Sequence, residues 1–214
     1  MKANEFVNEM RRLGLGAFRS VDAVKLLEGS NAYANLFLHR LARRHQIENI
    51  SRGIYALKGV SKLEIANLLE PRGYVSNLAA LFRYGLINQD PLVVDIISSR
   101  RSFSKEISYD KSVINIKAIK ISRKRFFGFR KEKGYVGYFL IAEPEKAILD
   151  TLYLYKKGLA SYCKEAFENG SGMVLEERLV KYARRMGSEA LLDILEKDVG
   201  VNARADTDVK RLRA

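Results

Sequence analysis

The sequence predicts an α+β protein: an N-terminal winged helix-turn-helix, then a small mixed α/β domain with C-terminal helices. Three observations support this prediction. Residues 1–59 read as three helices and a hairpin, the middle of the chain contains alternating strand patterns, and the last third returns to helical periodicity. The composition indicates a folded chain, because 47% of the residues are hydrophobic and only 3 are proline.

The first two helices are predicted from apolar spacing and from their end signals. Residues 4–13 have apolar side chains at helical intervals, and Gly14 follows as a stop signal. Ser20 is expected to be the N-cap of a short helix over residues 21–27, which Gly29 would end.

A third helix and a hairpin complete the N-terminal pattern. Ser30 or Asn31 is expected to cap a helix that runs to about residue 45. Residues 47–57 contain strand-forming side chains on both sides of Ser51-Arg52-Gly53, which predicts a hairpin turn. The turn between the second and third helices is short, as the corner of a helix-turn-helix requires.

The third helix is predicted to have two different faces. Helical spacing places Ala34, Phe37, Leu38 and Leu41 on one face, with polar and basic residues opposite. Such a helix can pack on one side and present hydrogen-bonding groups to a major groove on the other. The predicted DNA-binding residues are Ser20, Ser30, Asn31, Ala32, Asn35, His39, Arg40, Arg43, Arg44 and Arg52. The alternative is a basic surface helix that binds nothing.

The rest of the chain is assigned to a second domain, residues 60–214, of which 199–214 are predicted to be a flexible tail. Ser61 and Glu64 form a capping-box pattern at the start of its first helix. Its predicted helices span 61–69, 76–84, 142–157, 175–186 and 188–198, and its predicted strands 74–75, 92–98, 113–121 and 135–141.

The positive charge is concentrated in the first 134 residues. The chain has 38 basic and 25 acidic residues, a net charge of +13. Residues 1–59 have 10 basic and 5 acidic side chains, residues 60–134 have 15 and 7, and the remainder has 13 of each. An excess of positive charge in residues 1–134 and a neutral remainder indicate a surface that binds a polyanion.

Residues 123–133 form a second candidate patch for DNA or for an acidic partner. Its basic residues are Arg123, Lys124, Arg125, Arg130 and Lys131, and they alternate with Phe126, Phe127 and Phe129. Basic side chains beside exposed aromatic rings can follow a phosphate backbone and stack on bases. The alternative is that the rings enter the core and the charges surround them on a solvated hairpin.

Catalytic and metal-binding motifs are mostly missing from the sequence. One cysteine excludes a disulfide framework, and His39 and His45 are placed too far around one helix to share a metal. Glu143, Glu145, Lys146 and Asp150 have the residue types of a metal-dependent nuclease, but helical geometry separates the two glutamates and predicts a surface ion pair between Glu143 and Lys146. No enzyme activity, cofactor or metal is therefore predicted.

Three segments resemble the AbiEi-type antitoxins, which are transcriptional regulators of abortive-infection systems. They are ISRGIYAL in the hairpin, YVSNLAALFRYGLI, and RFFGF followed by GYFLIAEPEKAILDTLYL, the most specific of the three. The resemblance covers most of residues 20–155. The dense basic segment at 123–133 departs from the family pattern.

The resemblance implies a DNA-binding N-terminal domain that represses its own promoter. It also implies a C-terminal domain that opposes a nucleotidyltransferase-type toxin, and a scaffold role for Glu145, Lys146 and Asp150. One winged helix reads one half-site, so we expect a homodimer or cooperative monomers on an inverted-repeat operator.

Two other functions remain open: a metal-dependent nuclease that a winged helix docks onto DNA, and an RNA-binding protein that uses residues 123–133. No membrane partner is expected, because the sequence contains neither a long apolar segment nor a leader-like start. The predicted compartment is the cytoplasm.

Overall fold

The computed structural model describes residues 1–202 and shows a mixed α+β protein. The predicted flexible tail lies outside the described residues from position 203 onward, whereas Val199 and Val201 are buried. The helices are α1 (Ala3–Arg12), α2 (Ser20–Leu27), α3 (Asn31–Arg43), α4 (Lys62–Leu69), α5 (Asn77–Arg83), α6 (Pro144–Tyr155), α7 (Ala160–Asn169), α8 (Glu176–Met186) and α9 (Glu189–Ile194). The strands are β1 (Ala17–Arg19), β2 (Ile47–Ser51), β3 (Ile54–Leu57), β4 (Gly73–Val75), β5 (Val93–Ser98), β6 (Phe103–Tyr109), β7 (Ser112–Lys120), β8 (Phe129–Lys133) and β9 (Tyr138–Ala142).

The strands form two sheets. β1, β3 and β2 lie side by side in that order as a small antiparallel sheet. The second sheet has the order β6-β7-β5-β4-β9-β8, with β5 parallel to β7 and β4 parallel to β9. α4 packs against β4, β5 and β9, and α6 packs against α5, α7 and α8.

Four of the described helices and strands were not predicted: β1, β6, β8 and α7. In β6 the charged Lys105 interrupts the apolar alternation of Phe103, Ile107 and Tyr109. β8 reads FRKEK and is an edge strand, which pairs within residues 1–202 only with β9. Edge strands tolerate such charge since one side of their backbone faces solvent. β9 also begins later than predicted, at Tyr138.

Contacts join the regions on either side of residue 59, and their buried apolar residues belong to one core cluster. The Tyr109 hydroxyl donates to the Leu57 carbonyl at 2.8 Å and accepts from the Val60 N–H at 2.8 Å. An Arg19 guanidinium N–H donates to the Leu68 carbonyl at 3.3 Å. The domain division at residue 59 stays a prediction.

The Glu64 carboxylate ties α4 to the turn between β8 and β9. The Ser61 side chain accepts from the Glu64 N–H at 3.2 Å, as the capping-box pattern predicts. The Glu64 carboxylate accepts from the N–H of Ser61 at 3.1 Å, and from those of Tyr135 at 3.0 Å, Val136 at 3.2 Å and Gly137 at 2.6 Å. Four backbone donors therefore converge on one buried acid.

A glycine is required at position 137 by the close approach of the N-terminal region. A Cβ built there would lie 2.3 Å from the Gly14 carbonyl oxygen, which is backbone and cannot rotate away. The loop between α1 and β1, the start of α4 and the β8–β9 turn therefore meet at one point.

We predict that Glu64→Ala lowers the free energy of unfolding by about 3 kcal/mol, because three amides of the β8–β9 turn lose a charged acceptor. Urea unfolding measures the change. The control is Glu168→Ala, which removes an acid with a 61% exposed side chain in α7 and should change stability by less than about 0.5 kcal/mol. Equal effects of the two substitutions would show that Glu64 does not hold the turn.

Candidate nucleic-acid interface

The start of α2 differs from the prediction, because the N-cap is Arg19 and not Ser20. The backbone N–H of Arg19 donates to the Asp22 carboxylate at 2.9 Å. Ser20 is the first helical residue, and its own N–H donates to the Gly53 carbonyl at 2.9 Å. The start of α2 is thereby joined to the tip of the β2–β3 hairpin.

The turn from α2 to α3 consists of three residues. α2 ends at Leu27, as predicted, but the left-handed residue that follows the helix is Glu28, with φ +48°, and not Gly29. Ser30 is the N-cap of α3, and its hydroxyl accepts from the Tyr33 N–H at 3.1 Å. This cap is one of the two alternatives that the sequence predicts; Asn31 is the first residue of the helix.

The structure confirms the predicted division of α3 into two faces. Ala34, Leu38 and Leu41 are buried, and the half-buried Phe37 packs its ring against Phe6 with centroids 5.3 Å apart. The opposite face is exposed over the length of the helix and consists of Asn31, Ala32, Asn35, Leu36, His39, Arg40 and Arg43. One face of α3 is therefore packed against the protein, and the opposite face is accessible to a ligand.

The basic groups at the end of α3 are available to a ligand. In the described part of the chain, Arg40, Arg43 and Arg44 are exposed and have no hydrogen-bonded or ionic partner. α3 ends at Arg43, two residues earlier than predicted, and His45 turns the chain with φ +52°. His39 and His45 are both exposed.

Two exposed apolar side chains of α3, Tyr33 and Leu36, are absent from the predicted DNA-binding residues. Tyr33 is 47% exposed and Leu36 is 49% exposed, in the same helix as Asn35 and His39. Side chains of this kind can contact the thymine methyl group in a major groove. Helical spacing places Leu36 opposite the apolar stripe, which is the signal that identifies it, whereas Tyr33 borders the stripe and lies 6.3 Å from the Phe37 ring.

Arg52 is at the tip of the β2–β3 hairpin, next to Gly53 with φ +71°. Its side chain is exposed and is not bound to Glu48 or to any other residue within 1–202. Glu48 instead accepts from the Asp110 N–H at 2.8 Å. Because Gly53 binds Ser20 of α2, Arg52 projects from a tip that is fixed to the helical part of the region.

The three phenylalanines of residues 123–133 pack against the core: Phe127 is buried, and Phe126 and Phe129 are half-buried. Tyr74 of β4 stacks on Phe129 with centroids 4.6 Å apart, and Phe126 lies 5.2 Å from the same tyrosine. Phe127 is buried and contacts Tyr182 edge to face at 5.1 Å. The alternative with buried rings is therefore the correct one.

Three of the five cations in this second patch are used within the protein. Arg125 donates from Nε to the Met186 carbonyl at 2.9 Å and lies over the Tyr153 ring at 4.7 Å. Arg130 lies over the Tyr84 ring at 5.4 Å, and Lys131 over the Tyr138 ring at 4.4 Å. Only Arg123 and Lys124 are exposed without a bonded partner in the region that the structure describes.

Glu143 and Lys146, at the start of α6, do not form the predicted surface ion pair with each other. Lys146 is fully buried and pairs with Asp150, which also accepts from the Ser76 hydroxyl at 2.8 Å and from the Tyr74 hydroxyl at 3.1 Å. Glu143 instead accepts from the Tyr182 hydroxyl at 2.7 Å. Burial, together with the neighbouring Asp150 charge, raises the pKa of Tyr74 well above its usual value.

Glu145 is also buried and does not face solvent. It accepts from the Leu175 N–H at 2.9 Å, and Arg178 lies 3.7 Å from its other oxygen. Within residues 1–202, no group of three or more His, Cys, Asp or Glu side chains is arranged to hold a metal ion. Cys163 is buried, which raises the pKa of its thiol to about 12 and keeps the thiol protonated at neutral pH.

Comparison with known proteins finds no match: no family model matches the chain, and no curated protein matches it significantly. In the part of the chain that the structure describes, no helix combines the length and the apolar character needed to cross a membrane.

We predict that Lys146→Ala lowers the free energy of unfolding by about 3–5 kcal/mol, because it leaves the Asp150 carboxylate buried without its cation. The double substitution Lys146→Met with Asp150→Leu should cost less than the single one, since it removes both charges. Lys164→Ala is the control: Lys164 and Glu168 form the same helical i, i+4 pair on the surface, 3.9 Å apart, and its loss should cost less than about 0.5 kcal/mol. A Lys146→Ala variant as stable as this control would contradict the structural role of the pair.

Proposed function

We propose that the protein binds double-stranded DNA sequence-specifically through a winged helix-turn-helix in residues 1–59. The observation that carries the proposal is the exposed face of α3. It combines amide, imidazole, guanidinium and apolar groups on a helix whose other face is buried.

The arrangement of the surrounding elements supports a helix in the major groove. A groove about 12 Å wide accepts one α-helix, provided that nothing covers the helix on that side. A three-residue turn joins α2 to α3. In a helix-turn-helix the first helix crosses the DNA backbone and the second lies in the major groove, and α2 and α3 correspond to these two helices in our proposal. In our proposal the β2–β3 hairpin is the wing, with Arg52 at its tip.

The charges of the N-terminal region support contact with phosphates. Arg40, Arg43 and Arg44 follow one another along and beyond the last turn of α3, and Arg52 adds a cation on the hairpin. Among the described residues these four cations are unpaired, so binding DNA would break no internal ion pair. In our proposal they set the orientation on the duplex, while Asn35 and His39 contact base edges.

We further propose that the protein is an autorepressing antitoxin that opposes a nucleotidyltransferase-type toxin. This part of the proposal rests on the three motifs that resemble the AbiEi-type antitoxins. Two observations test the proposal directly: a nucleotidyltransferase-like gene beside this one, and restored growth when this protein is expressed in cells that also express that gene. Loss of growth in spite of antitoxin expression would contradict it.

An RNA-binding function is the second candidate, and one observation favours it. Tyr135 is 79% exposed and Tyr138 is 57% exposed, and Lys131 lies over the Tyr138 ring. Exposed rings beside a cation can stack on unpaired bases. Competition between duplex DNA and single-stranded RNA for the protein separates the two functions.

We predict that Asn35→Ala weakens binding to a duplex selected from a random pool by roughly 1–3 kcal/mol, because a base-edge contact is lost. Binding to unselected DNA should change little. Titrations with both duplexes measure the difference, and Asn8→Ala, an exposed asparagine of α1, is the control. Equal weakening on both duplexes would mean that Asn35 does not read bases.

We predict that Arg52→Ala weakens binding to every duplex and reduces the slope of log affinity against log salt by about one, the value for one phosphate contact. Lys181→Ala, which removes an exposed cation from α8, should leave the slope unchanged. An unaltered slope in the Arg52 variant would exclude the hairpin tip from the interface.

A further inference from the structure

A cavity of about 460 Å³ opens between the start of α4, the side of α5 and the β8–β9 turn. Leu63, Ala79, Phe82 and Phe139 form its apolar walls. Two of these walls are phenyl rings, and the volume lies in the range typical of small-molecule sites. The cavity is separate from the exposed face of α3.

Two cations border this cavity, and each is paired with an acid; Lys62 also donates to the Pro91 carbonyl at 3.3 Å. Lys62 pairs with Asp90, and Arg83 pairs with Glu132 at 2.8 Å. The side chains of Lys62 and Arg83 are 29% and 42% exposed, so solvent screens both ion pairs. Such pairs contribute little, and an incoming carboxylate can share or replace the acidic partner.

Tyr135 adds a third recognition element at the mouth of the cavity. Its side chain is 79% exposed, and its backbone is fixed, because its N–H donates to the Glu64 carboxylate at 3.0 Å. A large ring on a fixed backbone can close over a flat ligand at a small cost in conformational entropy.

We propose that this cavity binds a small organic acid that has a flat aromatic body and one carboxylate. The body lies between the apolar walls, and the carboxylate lies at the mouth against Lys62 and Arg83. Apolar walls with few convergent polar groups are the usual composition of a small-molecule site. The proposal does not depend on DNA binding.

The test uses 2-naphthoate as the probe and methyl NMR of the full-length protein as the readout. We expect saturable shifts of the Leu63 and Ala79 methyl signals, with a Kd of about 1 mM or tighter for a ligand of this size. Arg83→Gln should weaken 2-naphthoate binding about fivefold, whereas 2-naphthalenemethanol, which has no charge, should change by less than about twofold. Arg100→Gln, an exposed arginine after β5, is the control and should not change either affinity.

A second variant tests the cavity independently of its charge. Ala79→Leu fills the cavity and should abolish saturable binding of both probes while the methyl spectrum of the remaining core stays dispersed. If that variant does not fold, Lys62→Gln is used instead. It tests the charge at the mouth of the cavity and should weaken 2-naphthoate binding as Arg83→Gln does. Absence of Leu63 and Ala79 shifts in the unaltered protein, or equal effects of Arg83→Gln and Arg100→Gln on 2-naphthoate, would overturn the proposal.

Discussion

The Glu64 carboxylate is the interaction on which the arrangement of the protein depends. It caps α4 and also accepts three N–H groups of the β8–β9 turn, so that α4 and the edge of the six-stranded sheet form one unit. Gly137 brings the loop after α1 against the same point. An apolar side chain at position 64 would leave these amides buried and unpaired, which costs more than the packing gained.

The use of the positive charges distinguishes the two basic regions of the chain. Arg125, Arg130 and Lys131 bind carbonyl oxygens or aromatic rings within the protein, so they hold β8 and the segment before it in place. The cations of α3 and of the hairpin tip have no such role in the described residues. Net charge alone therefore overstates the second patch as a ligand site: it has two available cations, Arg123 and Lys124, whereas the end of α3 and the hairpin tip together have four.

The sequence predicts well those features that depend on local spacing. The two faces of α3, its Ser30 cap and the Ser61–Glu64 capping box all follow from neighbouring residues, and the structure confirms them. Features that depend on distant partners were not predictable. Phe126 and Phe129 are partly buried because they pack against Tyr74 of a remote strand. Lys146 is buried beside Asp150, which also accepts from the hydroxyls of Tyr74 and Ser76. No local pattern reports such pairs.

The measurement that tests the central claim most directly is amide NMR mapping of the full chain during titration with a short duplex of random sequence at low ionic strength. Such a duplex needs no knowledge of the operator, because phosphate contacts provide most non-specific affinity. If α3 enters the major groove, the largest shifts lie on its exposed face and its C-terminal end, from Asn31 to Arg44, and at Arg52 and Gly53. Shifts confined to the β8–β9 edge, with α3 unchanged, would contradict it.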